Sequence, residues 1–319
     1  MQCKILTKVF FLLVTNVSCC LAFGEPTVDV LTHEINQIDR FIQGQLASAP
    51  NNVTGVLVLG AAGCGKTTLI HALNGTPLVS KTQGMHYRYV DVADNVAVSP
   101  NLNINHTYYA SQNIPVSCSY CPVNNILFWE FMGFVDAIYK KSDILNAYLL
   151  HKISMMHANI KIISIISEHD FSGRCSSFTQ HIEKLARLIQ NPEQLDNLLT
   201  LVVRTTPDNA HRIQSQVKRT LMYYCQSGNE RWSAYDVSSL ARQLIIPNFS
   251  IFSFNAAMED GEYLLTDRQI ILEKLTSTLE YNHYIPEIIF ESECSKSYLL
   301  SMANDLMSIQ GEVKSVVDM

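Results

Sequence analysis

Residues 56–68 read Val-Leu-Val-Leu-Gly-Ala-Ala-Gly-Cys-Gly-Lys-Thr-Thr, and no other stretch constrains the chain as strongly. A short apolar run, Val56–Leu59, enters the spacing G-x-x-x-x-G-K-[ST]; Leu69-Ile70-His71-Ala72-Leu73 can then continue as a helix. A phosphate chain requires this arrangement. Glycines let the backbone N–H groups of Gly60, Ala61, Ala62, Gly63, Cys64, Gly65, Lys66, Thr67 and Thr68 turn inward around the phosphates. The helix start adds unpaired amides and a positive dipole end. Lys66 contributes a point charge for the β- and γ-phosphates, and the Thr67 hydroxyl is a Mg²⁺ ligand. A Gly-rich strand-to-helix turn that binds nothing would explain the glycines. It would not explain a lysine directly after Gly65.

At 319 residues the chain can form one large domain or two modest ones. Its net charge of −6 argues against nucleic acid as a partner, which usually meets a basic stripe. The first residues form a separate unit. Lys4 and Lys8 precede an apolar core, Val9–Val14, and small residues follow at Ser18, Cys19, Cys20 and Ala22. Residues 1–22 therefore read as a signal peptide cleaved after Ala22. Thr15-Asn16 interrupts the core, which is too short for a membrane span. The expectation is a secreted or extracytoplasmic protein. The alternative is an apolar helix packed on a cytoplasmic domain, and a nucleotide site fits that compartment better. Sequons at Asn52, Asn74, Asn105 and Asn248 do not decide between them.

Three of the nine cysteines lie in the leader. Cys118-Ser-Tyr-Cys121 is a lone C-x-x-C, without the second pair that zinc would want. It reads as a chance pair in a loop or as a local disulfide. The Cys64 thiol sits where loop N–H groups would acidify it.

Helical spacing of Val28, Leu31, Ile35, Ile38, Ile42 and Leu46 predicts an N-terminal amphipathic helix within residues 23–50. Strands are expected at Val56–Leu59, 87–92, 125–131, Ile160–Ile166, Leu198–Val203 and Phe249–Phe254. Helices are expected at Thr67–Leu73, Ser142–His157, Phe178–Ile189 and His211–Tyr224. Ala93–Val123 is rich in Asn, Ser, Thr and Pro and reads as a long functional loop. After Asn255 the chain reads as helix, including Arg268–Glu280. Largely apolar strands between helices predict a three-layer α/β/α fold around a mainly parallel sheet, with extra helices at both ends. The nucleotide-binding domain is expected to span residues 51–257, with a helical region at 258–319.

From Gly55 to about Asn255 the order of segments resembles a GTPase G domain of the P-loop NTPase superfamily, on the side of septins, dynamins and immunity-associated GTPases. The family's D-x-P-G-F-x-D-T stretch corresponds to Glu130-Phe-Met-Gly133-Phe134-Val-Asp136-Ala137. The resemblance implies a metal role for Glu130 and a γ-phosphate contact from the Gly133 N–H. Without it, Glu130 reads as a strand-end charge facing solvent. Gln112 and Asn113 stand where the family's switch threonine falls; Thr107 and Ser111 are its nearest substitutes. The guanine motif [NT]-K-x-D is matched by Thr205-Thr206-Pro207-Asp208 without the lysine. Asp208 is thus a base-reading carboxylate or the N-cap of the next helix.

The resemblance implies a protein that binds GTP or ATP with Mg²⁺, with Lys66 and Gly133 in catalytic roles, and Thr67 and Glu130 on the metal. Slow GTP hydrolysis, and switch loops that report to a protein partner or a second copy, would follow. The alternatives are a pseudo-GTPase module without turnover and a P-loop ATPase or kinase. His169, Asp170 and Arg174 form a polar loop, and Arg174 is either a phosphate finger or a solvated charge.

Overall fold

The computed structural model describes residues 28–83, 87–94, 96, 116–131, 140–172, 175–189, 195–226, 237–246, 249–255 and 261–277. The leader, the 97–115 segment and Gly133 lie outside this set, as does the end of the chain from 278.

The N-terminal helix α1 spans Val28–Ser48, and the phosphate-loop strand β1 spans Thr54–Gly60. Helix α2 (Lys66–Asn74) follows the loop; β2 (Leu78–Gln83) and β3 (Tyr87–Val92) pair as an antiparallel hairpin. Next come β4 (Val116–Cys121), β5 (Ile126–Phe131), α3 (Lys140–Met156) and β6 (Ile160–Ser167). A 3₁₀ turn at Glu168–Phe171 leads to α4 (Ser176–Leu188). A single turn at Leu195–Leu198 precedes β7 (Leu199–Thr205); α5 (Pro207–Gln226) and α6 (Val237–Ile245) follow. Strand β8 (Ile251–Asn255), short β9 (Gly261–Tyr263) and α7 (Arg268–Thr276) complete the described elements.

The main sheet has six strands in the order β4-β5-β1-β6-β7-β8. All neighbours are parallel except β4, which runs antiparallel to β5. This is the three-layer α/β/α fold. Alternation along the strands divides the interior in two. Leu57 and Leu59 join Trp129, Ile162 and Leu201 under α1, α3, α4, α5 and α6. Val56 and Val58 join Phe128, Ile163 and Val202 under α2 and α7. Strand β1 is central because its residues 55–60 are apolar or glycine and buried on both faces, which suits an inner parallel strand.

Three elements depart from the sequence expectation. The expected loop 93–123 contains β4, a polar edge strand whose alternate residues Val116 and Cys118 face the core. Residues 87–92 are a strand but belong to a separate three-stranded sheet, β3-β2-β9. The region after Asn255 is not all helix, because Gly261–Tyr263 pairs with Leu78–Ser80. None of these three carries the uncharged apolar run that marks an inner strand.

Both terminal pieces of the described chain pack on the sheet. Ile35, Ile38 and Ile42 of α1 enter one core, and Phe41 meets Trp129 edge-on at 6.5 Å. The Tyr148 hydroxyl donates to Asp39 at 2.6 Å, and Lys152 pairs with the same carboxylate at 3.2 Å. Ile271, Leu272 and Leu275 of α7 enter the other core, and Arg268 Nε donates to the Ala72 carbonyl near the end of α2. No described helix is long and apolar enough to cross a membrane.

Candidate functional site

The loop between β1 and α2 is shaped by glycine. Gly63 (φ 73°) and Gly65 (φ 98°) adopt left-handed backbone that L side chains resist. A Cβ on Gly60 would lie 2.6 Å from the Ile165 carbonyl oxygen and 2.6 Å from Cys64 Sγ, so the first glycine is required by close packing against β6. Lys66 is buried. Its Nζ donates to the carbonyls of Gly60 (3.0 Å) and Ala61 (2.8 Å), crossing the loop from helix start to strand end. Ala62 and Gly63 stand exposed at the crest. The loop lies at the carboxyl end of β1, between β5 on one side and β6 on the other. That is the usual ligand crevice of an open α/β sheet.

Thr67 and Glu130 come together although they are 63 residues apart in sequence. The Thr67 hydroxyl donates to Glu130 Oε1 at 2.7 Å. The other carboxylate oxygen accepts from Ser117 Oγ of β4 at 3.2 Å. Glu130 is half-buried, so the solvent-facing reading of this residue does not hold. A hydroxyl and a carboxylate are hard oxygen donors. They fit Mg²⁺, which takes one or two protein oxygens and completes its shell with water and phosphate. Among the described residues no group of three or more His, Cys, Asp or Glu could hold a metal ion on its own.

The β7 side contributes a residue that motif reading missed. Arg204, on the α2-facing side of β7, donates from Nη1 to the Gly63 carbonyl at 2.7 Å. In sequence it is a lone charge near the end of a largely apolar strand, which does not point to the loop. Beside it, Thr205 Oγ1, the Thr206 N–H and Asn209 Nδ2 all donate to Glu168 of the 3₁₀ turn. Burial pushes the Glu168 carboxyl up, but these donors together outweigh it and hold it below the ordinary value. Helix α5 opens at Pro207, which places Asp208 at its second residue rather than at the residue before the helix. Proline suits that first position because its missing N–H would have no helical partner. Asp170 is likewise engaged in structure, accepting from the Ser167 N–H at 2.8 Å; Arg174 lies outside the described residues.

Beneath the loop, on the face away from α2, Ser164 Oγ and His181 Nε2 are 2.6 Å apart and both buried. Burial lowers the His181 pKa to about 3, with the Lys184 and Lys66 charges acting in the same direction. Two expectations about cysteine are corrected here. Burial raises the Cys64 thiol more than the Lys66 and Arg204 charges lower it, so it is not acidified. Cys118 and Cys121 lie on a strand rather than in a loop. Three residues apart, they face opposite sides, Cys118 in one core and Cys121 in the other, and both thiols are free.

A family model described as dynein light intermediate chain matches residues 41–99. That stretch takes in the end of α1, β1, the phosphate loop, α2 and the β2–β3 hairpin. No curated protein matches. Among solved structures, a glycine-to-proline variant of SsGBP is 15% identical at a TM-score of 0.33, covering 84% of this chain and 67% of that one. A glycine-to-serine variant of the same protein is 16% identical at a TM-score of 0.31 over the same shares. The fold, the loop and the family match together support a P-loop-type α/β protein.

Proposed function

We propose that the chain binds a nucleoside triphosphate, GTP in the first instance, with Mg²⁺ at the Gly60–Thr68 loop, and that binding controls a protein partner. The carrying observation is the joint placement of a buried Lys66 across the loop and a Thr67–Glu130 pair beside it. Gly60, Ala61, Ala62, Gly63, Cys64, Gly65 and Thr68 would present backbone around the phosphates, and Lys66 would exchange loop carbonyls for phosphate oxygens. Thr67 and Glu130 would hold the metal, which when bound would supply positive charge against the negative charge of the phosphates. Gly133 would contact the γ-phosphate and Asp208 the base. The likeness of residues 41–99 to a chain named as part of dynein supports a place in a larger assembly.

A non-hydrolysing module is the second reading. Gln112 and Asn113 replace the switch threonine that the resemblance would require, which favours binding over turnover. The test measures binding of GTP and ATP by calorimetry, with and without Mg²⁺, and phosphate release on the same material. Lys66→Ala should weaken binding at least about 100-fold, the order expected when a charge-assisted contact to phosphate is lost from a partly buried site. Absence of heat with every Mg²⁺-triphosphate on folded protein would sink both readings. Tight binding without release selects the second.

A further inference from the structure

Strand β4 holds α2 at both ends. Its residues alternate, so Ser117 and Ser119 share the face toward α2 while Val116 and Cys118 enter the opposite core. At the far end of the helix, Asn74 Nδ2 donates to Ser119 Oγ at 2.8 Å. At the near end, Ser117 Oγ reaches Glu130 Oε2, whose companion oxygen receives the Thr67 hydroxyl. Ser117 and Glu130 are direct partners in the antiparallel β4–β5 register. The serine is therefore set by backbone pairing, independently of the loop.

We infer that Ser117 is a positioning residue for the Glu130 carboxylate, orienting the oxygen that faces Thr67; the inference rests on the Mg²⁺-nucleotide reading above. A glutamate has one more rotatable bond than an aspartate, and its carboxylate can swing away from a ligand position. A fixed hydroxyl on one oxygen removes that freedom and leaves the other oxygen beside Thr67.

The experiment titrates Mg²⁺ against the affinity of full-length protein for fluorescent N-methylanthraniloyl GTP and ATP, and repeats the affinity in EDTA. Ser117→Ala should raise the Mg²⁺ midpoint at least about tenfold, the scale of one hydrogen bond to a charged group, and leave the EDTA affinity unchanged. Ser117→Thr keeps the hydroxyl and should stay within about twofold of wild type. Ser119→Ala removes only the Asn74 contact; it should lower the melting temperature without moving the midpoint. In a Glu130→Ala background, Ser117→Ala should add nothing. An unchanged midpoint in folded Ser117→Ala overturns the inference while the nucleotide reading survives. Wild-type binding without any Mg²⁺ dependence also overturns it, and wild-type protein that binds no nucleotide overturns both.

Discussion

The phosphate loop and the walls around it are built on different principles. In the loop the lysine is held by local contacts: those of Lys66 to Gly60 and Ala61 span six and five residues. In the walls the contacts are distant, 63 residues for Thr67 with Glu130 and 141 for Gly63 with Arg204. A local device needs only the right residues in order. The walls need the sheet to have formed, because strand order decides which charge arrives at which edge of the loop. The difference explains how a loop can read clearly while the motifs around it read as eroded.

The loop can be disrupted where it packs on β6, at its first glycine. Gly60→Ala puts a methyl 2.6 Å from the Ile165 carbonyl oxygen. We expect a loss of about 2 kcal/mol of stability by denaturant unfolding, as for overpacking a filled core. An unchanged midpoint would show that the loop packs on β6 less tightly than described. Arg204→Ala probes the assembled half. It frees the Gly63 carbonyl and removes a cation from the site, and nucleotide affinity should fall roughly tenfold, with the melting temperature little changed. Equal affinity would remove Arg204 from the site.

A third test concerns the support beneath the loop and reads stability against pH. Burial holds His181 neutral, with a folded pKa of about 3 against an ordinary value of 6.5. Between those values the unfolded chain binds a proton that the folded chain does not. The stability associated with the neutral ring is thus fully present above pH 6.5 and declines as pH falls toward 3, by at most about 1.4 kcal/mol per pH unit. His157 is lowered by burial in the same sense; its ring accepts from Trp129 Nε1 at 2.9 Å. Unfolding midpoints from pH 7.5 to 4.5 should show the slope, and His181→Gln should flatten part of it. A slope unaltered by that substitution would place the acid sensitivity elsewhere.

What the sequence made legible follows the same division. Inner strands announced themselves through uncharged runs such as Leu198–Val203, and β1 through the glycine spacing that follows it. Edge strand β4 did not, because Ser117 and Ser119 alternate with its core-facing residues and dilute the apolar signal. The hairpin β2–β3 was half seen; its separation from the main sheet depends on pairing with β9, far along the chain. In the site, Lys66 and Thr67 were legible from spacing. Glu130 was named through a resemblance, and its contacts with Thr67 and Ser117 bear on that role without testing metal binding. Arg204 and Ser117 were not legible, since nothing local to either residue indicates the loop or carboxylate it meets.

The amide of Asn74 has a consequence for biogenesis. Asn74-Gly-Thr76 is an acceptor sequence for N-linked carbohydrate, yet its nitrogen is the atom that docks the end of α2 onto Ser119. Oligosaccharide is joined to that same nitrogen while a polypeptide is still emerging and unfolded. A glycan would leave that nitrogen a single N–H and set a sugar ring beside Ser119, crowding the helix-to-strand clasp seen here.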